Sequence, residues 1–243
     1  MKKTTLFLAA MLVAIVLPVL QSCDDDADGY SLGNFTVRMA TVKATGGDNY
    51  YLQIDDGKTL WPCASQYWYK PVDGQRVLAN YTYLYDNFQG YDYGVKVNRL
   101  YNVLTKGVDE LTAENEEDFG DDPVHITDMW LGGNYLNVEF KMLRPFIHKH
   151  RVSLVRNTTV ETPDDDYIHL EYRYNNQDDV SDYWDYNLVS FNLGNEYKGE
   201  YKGLKVRINS AVNGERVLTY DFPEDEQPKT IDTKNEYMGE EIK

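Results

Sequence analysis

Cysteine is close to absent from this chain. Cys23 and Cys63 are the only two, and Cys23 closes a leader-like N-terminus, which leaves Cys63 alone. No intramolecular disulfide can then form even in an oxidising compartment, and a disulfide-stapled scaffold is excluded. Histidine is scarce as well. Of His125, His148, His150 and His169, only His148 and His150 stand at a spacing that would put two rings on one strand face. No third ligand follows at zinc spacing, so no metal site is expected. Basic residues are outnumbered, 24 Lys and Arg against 40 Asp and Glu, for a net charge of −16. Such a surface repels phosphate backbones, which excludes nucleic acid as a partner. Also missing are Gly-x-Ser-x-Gly, a phosphate-binding glycine loop, a Cys/His pair with an orienting group, and His-Glu-x-x-His. Carboxylate pairs arise by chance among forty acids and lend no weight to glycosidase chemistry. The expectation is a chain that is not an enzyme and takes no cofactor.

The N-terminus is the most legible segment. Lys2 and Lys3 precede an apolar run from Leu6 to Leu20 that is broken only by Pro18, and Leu20-Gln21-Ser22-Cys23 ends it. The run is too short to span a bilayer and reads as a secretion signal over residues 1–22. The cysteine directly after it resembles the lipobox of bacterial lipoproteins, in which cleavage leaves an acylated, palmitate-bearing Cys23 as the membrane anchor. Asp24, Asp25, Asp26 and Asp28 follow and make residues 23–32 an acidic tether. Asp beside the lipidated Cys resembles an export signal to the cell surface, with a periplasm-facing position as the alternative. Removing residues 1–22, which carry two lysines and no acid, moves the net charge to −18.

Beyond residue 22 no apolar period of 3.6 is sustained. Alternation of period two dominates, in Phe35-Val37-Met39, Tyr50-Leu52-Ile54, Leu136-Val138-Phe140-Met142 and Leu204-Val206-Ile208. Such runs read as half-buried antiparallel strands. Turn residues separate them at Gly46-Gly47-Asp48, Asp55-Asp56-Gly57, Asp73-Gly74 and Asn213-Gly214, the last placed to close a hairpin between 203–210 and 216–222. The chain is expected to be all-β. Residues 109–122 carry eight acids and no base, and read as a solvated connector with at most a short helix over 111–118. On that division, residues 33–108 suit a small OB-like barrel. Residues 123–243 suit a β-sandwich with an acidic, polar tail from Pro223, the last dozen residues of which are expected to be mobile.

Several side-chain groups invite a functional reading. Cys63 sits in Leu60-Trp61-Pro62-Cys63-Ala64 and is expected as a buried, inert thiol. Asp164, Asp165 and Asp166 form one acidic loop, and Asp178, Asp179 and Asp182 another. Neither matches the spaced calcium loop, so solvated loops are expected. Tyr81, Tyr83 and Tyr85 alternate along a strand and are assigned to a core or to packing under a covering loop. Tyr67, Trp68 and Tyr69, and likewise Tyr183 and Trp184, interrupt the alternation in polar, turn-rich surroundings. These five are the candidate contacts to a ligand or partner.

The C-terminal half reads, in order, Gly120-Asp121-Asp122-Pro123, Met129-Trp130-Leu131, Tyr135 to Phe140, His150 to Asn157, His169 to Asn175, and Leu188 to Leu193. This succession, behind a lipobox and an acidic tether, resembles the NigD-like lipoproteins over essentially the whole mature chain. Where the commoner family pattern has Arg-His-Asn, this chain has Arg173-Tyr174-Asn175. The resemblance implies an N-terminal OB-like domain, a C-terminal β-sandwich and a suspected link to bacteriocin immunity; it brings no catalytic residues. The functional expectation is an outer-membrane lipoprotein that binds an envelope or secreted protein, with surface glycan capture as the alternative. Replacing Cys23 tests the anchor: Cys23→Ala should leave an uncleaved or unacylated precursor, and mature-size, lipid-labelled protein in that mutant would refute the assignment.

Overall fold

Alternating apolar residues become strands almost everywhere the sequence places them. The structure, a computed structural model, describes residues 33–179, 183–194 and 201–222. The segments expected as secretion signal and tether, with Cys23, as well as Asp182 and the tail from Pro223, lie outside the described residues. Five strands make the first unit: β1 (Thr36–Gly46), β2 (Asn49–Ile54), β3 (Thr59–Ser65), β4 (Arg76–Phe88) and β5 (Tyr91–Asn102). They close into a barrel in the order β1-β2-β3-β5-β4, with β3 and β5 parallel and every other pair antiparallel. This is the OB arrangement, and it leaves no free edge. Ala40, Val42, Leu52, Ile54, Leu60, Val77, Ala79, Val95 and Val97 fill the interior. Tyr81 joins them fully buried, its hydroxyl 3.1 Å from that of Tyr83. A register shift between Tyr83 and Tyr85 then breaks the alternation, so Tyr85 faces solvent and the tyrosine triplet does not act as one face.

The second unit is a sandwich. One sheet runs β14 (Gly214–Asp221), β13 (Gly203–Ser210), β11 (Tyr167–Asn175), β10 (Arg151–Asn157), β7 (Val108–Leu111). The other runs β6 (Leu104–Lys106), β12 (Trp184–Asn192), β9 (Tyr135–Leu143), β8 (His125–Gly132). Leu136, Val138 and Phe140 meet Leu154, Leu170, Tyr172, Val206 and Phe191 between them. The hairpin expected at Asn213-Gly214 is present, with Ser210 paired to Gly214 and φ of +70° at the glycine.

The acidic stretch 109–122 is a solvated connector only in part. Its first residues belong to β7, which pairs in parallel with β10. Glu116–Phe119 forms a single helical turn, α1, shorter than the span anticipated. Phe119 packs on Leu111 and Val155, and the Asn175 amide donates to the Glu117 and Asp118 carbonyls at the end of the turn. Asp121 lies between Arg207, at 2.8 Å, and Arg173, at 3.6 Å. Two arginines from β11 and β13 thus supply counter-charge to Asp121, while Glu110, Glu114, Glu116, Glu117 and Asp118 stay exposed.

The barrel rests on the outer face of the four-stranded sheet. Val189 and Phe191 point into the sandwich core, so Leu188 and Ser190 point the other way. Leu188, with Trp130, packs against Val37, Met39, Leu78 and Val103. Beside this apolar cluster lies Arg76, 1% exposed. Its guanidinium holds Asp55 bidentately at 2.6 and 3.1 Å, and donates to Thr41, Ser190 and Asn137, each at 3.2 Å. All five N–H donors are thereby used, two of them on the sandwich. The Tyr135 ring covers the group at 4.3 Å. A Cβ at position 132 would lie 2.1 Å from the Asp55 carboxylate, so the close approach itself requires Gly132. Removing one member of a buried, hydrogen-bonded pair typically costs about 3–5 kcal/mol, whereas replacing both with apolar groups costs far less. Arg76→Met and Asp55→Leu should each destabilise the chain by about that amount in denaturant unfolding, and the double variant by less than either. Additive losses would refute the coupling.

Candidate functional site

Trp68 stands between two tyrosines that are tied down. The segment leaves β3 at Ser65, whose hydroxyl donates to the Tyr67 carbonyl at 2.6 Å. The Tyr67 hydroxyl donates to the Leu100 carbonyl at 3.1 Å and accepts from the Leu100 N–H on β5. Tyr69 donates to the Asn102 side-chain oxygen at 3.0 Å and packs edge-on against Tyr50. Burial pushes both phenols above the ordinary tyrosine value, which keeps them neutral donors. Trp68, between these anchors, is 70% exposed. The structure therefore separates the trio into two fasteners and one displayed ring.

A second display occupies the end of the sandwich where β9 finishes and β12 begins. Tyr183 is 73% exposed and Trp184 56%; beside them Phe146 is 79% and Ile147 71% exposed. The two segments are joined by backbone, because the Arg144 N–H donates to the Tyr183 carbonyl at 2.7 Å and Trp184 pairs with Leu143. The Arg144 guanidinium also grips Asp185 at 2.5 and 3.1 Å. Phe146 and Ile147 sit on a loop drawn around one carboxylate: Asp179 Oδ2 accepts from the N–H groups of Phe146, Ile147 and His148 at 2.6, 2.9 and 3.3 Å. Beneath it His150, fully buried, lies 3.6 Å from Asp179 and 2.6 Å from the Tyr174 hydroxyl.

Several expectations are corrected here. His148 and His150 mark the turn after Arg144-Pro145 and the approach to the next strand and share no strand face: the chain is irregular from Arg144 to Lys149, and His148 is exposed while His150 is buried. Asp179 is not a solvated loop acid but the clasp of the 146–148 loop. The loop of Asp164, Asp165 and Asp166 is solvated as expected, with surface ion pairs from Asp165 to His169 and Lys205 and from Asp166 to Lys202. Among the described residues no group of His, Cys, Asp or Glu gathers at metal-holding geometry. Cys63 is exposed rather than buried. The pairing of β3 with β5 slips between Pro62 and Ala64, and this bulge takes Cys63 out of the alternation that its apolar neighbours suggested.

Phe146 and Ile147 were not singled out in the sequence. The available signal was two large apolar residues directly after a proline, outside any alternating run. A groove of about 730 Å³ at the junction of barrel and sandwich was equally hidden, since residues far apart in the chain line it, from Tyr69 to Leu188. Chemically, these surfaces offer contact area and directed hydrogen bonds. The Asp179–His150–Tyr174 cluster opens no reacting group to solvent. Burial, opposed by Asp179, holds His150 below its ordinary value.

Residues 39–103 match the family described as the NigD-like N-terminal OB domain, and residues 107–222 match the NigD-like C-terminal beta sandwich domain. Among solved structures, a protein of unknown function from Bacteroides vulgatus is 31% identical over 81% of this chain and 96% of its own, with a TM-score of 0.75. A protein described as toxin-related from Parabacteroides distasonis is 34% identical over 78% of this chain and 93% of its own, at 0.67. A NigD-like immunity protein from Bacteroides caccae shares the fold at 19% identity over 78% and 97%, at 0.59. No functionally curated protein matches the chain.

The clasp has a pH signature. Burial acts to raise the Asp179 carboxyl, but the three N–H donors and His150 outweigh it and hold the group down at about 2, against an ordinary 3.8. A carboxyl depressed by folding contributes stability that is complete above its unfolded value and is lost as pH falls towards the folded one. The thermal midpoint should therefore drop between about pH 4 and pH 2, and Asp179→Asn should flatten that part of the curve. The variant should also speed amide exchange at Phe146 and Ile147; unchanged exchange would show that the loop does not depend on the carboxylate.

Proposed function

The chain belongs to the NigD-like family, and from that premise we propose that it is a membrane-anchored, surface-exposed lipoprotein that binds a protein and performs no chemistry. The observation that carries this reading is the display of Phe146, Ile147, Tyr183 and Trp184 at one end of the sandwich. Four large apolar side chains on adjoining segments are costly to leave in water, and aromatic anchors of this kind dominate binding energy where a partner covers them. Their backbone is fixed before any partner arrives, by the Asp179 clasp and the Arg144–Tyr183 bond, so little ordering is left to oppose association. Trp68 offers a second, separate contact of the same kind. The partner is an envelope or secreted protein; a bacteriocin-type toxin fits the role named for the Bacteroides caccae relative. The lipobox-like Cys23 and the acidic tether support the anchor and the outward position.

A photo-crosslinking side chain at position 147 in intact cells tests this. It should capture one discrete envelope or secreted protein, and the same group at Val217, exposed on β14, should not. Trp184→Ala should keep the thermal midpoint within a few degrees and weaken capture by about 2 kcal/mol, roughly thirtyfold. Equal capture from both positions, or none from either, would overturn the reading.

A further inference from the structure

The junction groove has a chemistry of its own. Its lining contains no charged side chain, in a chain of which 26% is Asp, Glu, Lys or Arg and whose net charge is −16. Two tyrosines, two amides, one hydroxyl and an aliphatic floor take their place. Tyr101 is 47% exposed, and Arg99 stacks on its ring at 4.7 Å, which fixes the ring and leaves one face for a ligand. Tyr69 is held by its bond to the Asn102 side-chain oxygen. That bond leaves the Asn102 amide as an unspent donor. Gln75 is the complement: its amide donates to the carbonyls of Arg76 at 2.7 Å and Val103 at 3.1 Å, so its oxygen remains as an acceptor. The Thr105 hydroxyl donates to the Val103 carbonyl at 3.0 Å and keeps its lone pairs. Leu188, from the sandwich, forms part of the floor.

We propose that this groove is a binding site for a neutral saccharide, independent of the protein-binding loops. Sugar rings present apolar C–H faces that pack on aromatic rings, and hydroxyls that donate and accept at once. The groove supplies both: a tyrosine face with an aliphatic floor, and a fixed acceptor, donor and hydroxyl. In the lining itself phosphorylated, carboxylated and cationic ligands would find no counter-charge, since Arg99 is spent on the Tyr101 ring and does not line the groove. An acyl chain would strip water from the two amides and return no hydrogen bond. Of about 730 Å³, the groove falls in the ordinary range for small-ligand sites, roughly 300–1,000 Å³, at the sort of inter-domain position where such sites occur. It is also preformed, because Gln75 precedes Arg76 and shares the locked junction.

The test is titration calorimetry of the purified full chain against neutral hexaoses built from glucose, mannose, xylose or galactose. Polygalacturonate, heparin and a pool of uncharged decapeptides serve as the competing classes. At least one neutral hexaose should bind, and Tyr101→Ala and Asn102→Ala should each weaken it by at least about tenfold. Tyr85→Ala, at an exposed tyrosine outside the groove, should leave it unchanged. Amide shifts at Tyr101, Asn102 and Thr105 on adding the sugar give a readout that needs no variant to fold. The proposal is overturned if no neutral hexaose binds, if polyanions or peptides bind as well or better, or if the shifts fall elsewhere.

Discussion

The relation between the two halves depends on one buried guanidinium. Arg76 is the first residue of β4, yet two of its five hydrogen bonds reach across to β9 and β12. A cation this deep is tolerable only with a full set of acceptors, and a partial set would be worse than an apolar contact. The requirement propagates. Asp55 must sit directly after β2, against the sandwich, Gly132 must lack a side chain, and Ser190 must turn its hydroxyl to Asn137, which it does at 2.6 Å. Apolar packing of Leu78 on Leu188 would permit sliding; the polar set allows one register. Barrel and sandwich therefore behave as a single surface on which loops and grooves keep fixed separations.

On that frame, the displayed aromatics and the groove follow one logic. Each exposed ring is flanked by residues whose hydrogen bonds are committed inward: Trp68 by Tyr67 and Tyr69, Phe146 and Ile147 by the amides that Asp179 collects. Rigid placement of solvent-facing apolar groups costs folding free energy and has value only in recognition. The same contrast holds for the charged residues. On the outer face of the five-stranded sheet Arg173, Arg207, Glu171, Asp121 and Glu215 satisfy one another, whereas the groove lining is uncharged.

Much of the architecture was legible because strand alternation is local. The barrel, the sandwich and the Asn213-Gly214 hairpin all rest on runs of a few residues whose two faces differ. What escaped depends on partners distant in sequence. Cys63 lies on an apolar run, but a bulge set by the pairing with β5 turns it outward. Asp121 looks solvated in the acidic run until Arg173 and Arg207 reach it from β11 and β13. His150 and Asp179 meet across 29 positions of chain and give no sign of it in either segment. Of the five candidate contacts, Trp68, Tyr183 and Trp184 are the exposed ones; Tyr67 and Tyr69 sit in the same polar context but spend their hydroxyls on β5.

The short strands β6 and β7 deserve to be seen as hems. They stand on either side of Gly107, and each finishes the border of a different sheet, β6 beside β12 and β7 beside β10. A border strand left uncovered offers a row of open N–H and C=O groups to any passing chain. A sandwich cut free at the acidic stretch would lose β6 and the start of β7, and so expose two such rows at once. The boundary that charge alone would nominate thus falls within β7 and beyond β6, and a cut there would trade two short border strands for two long ones.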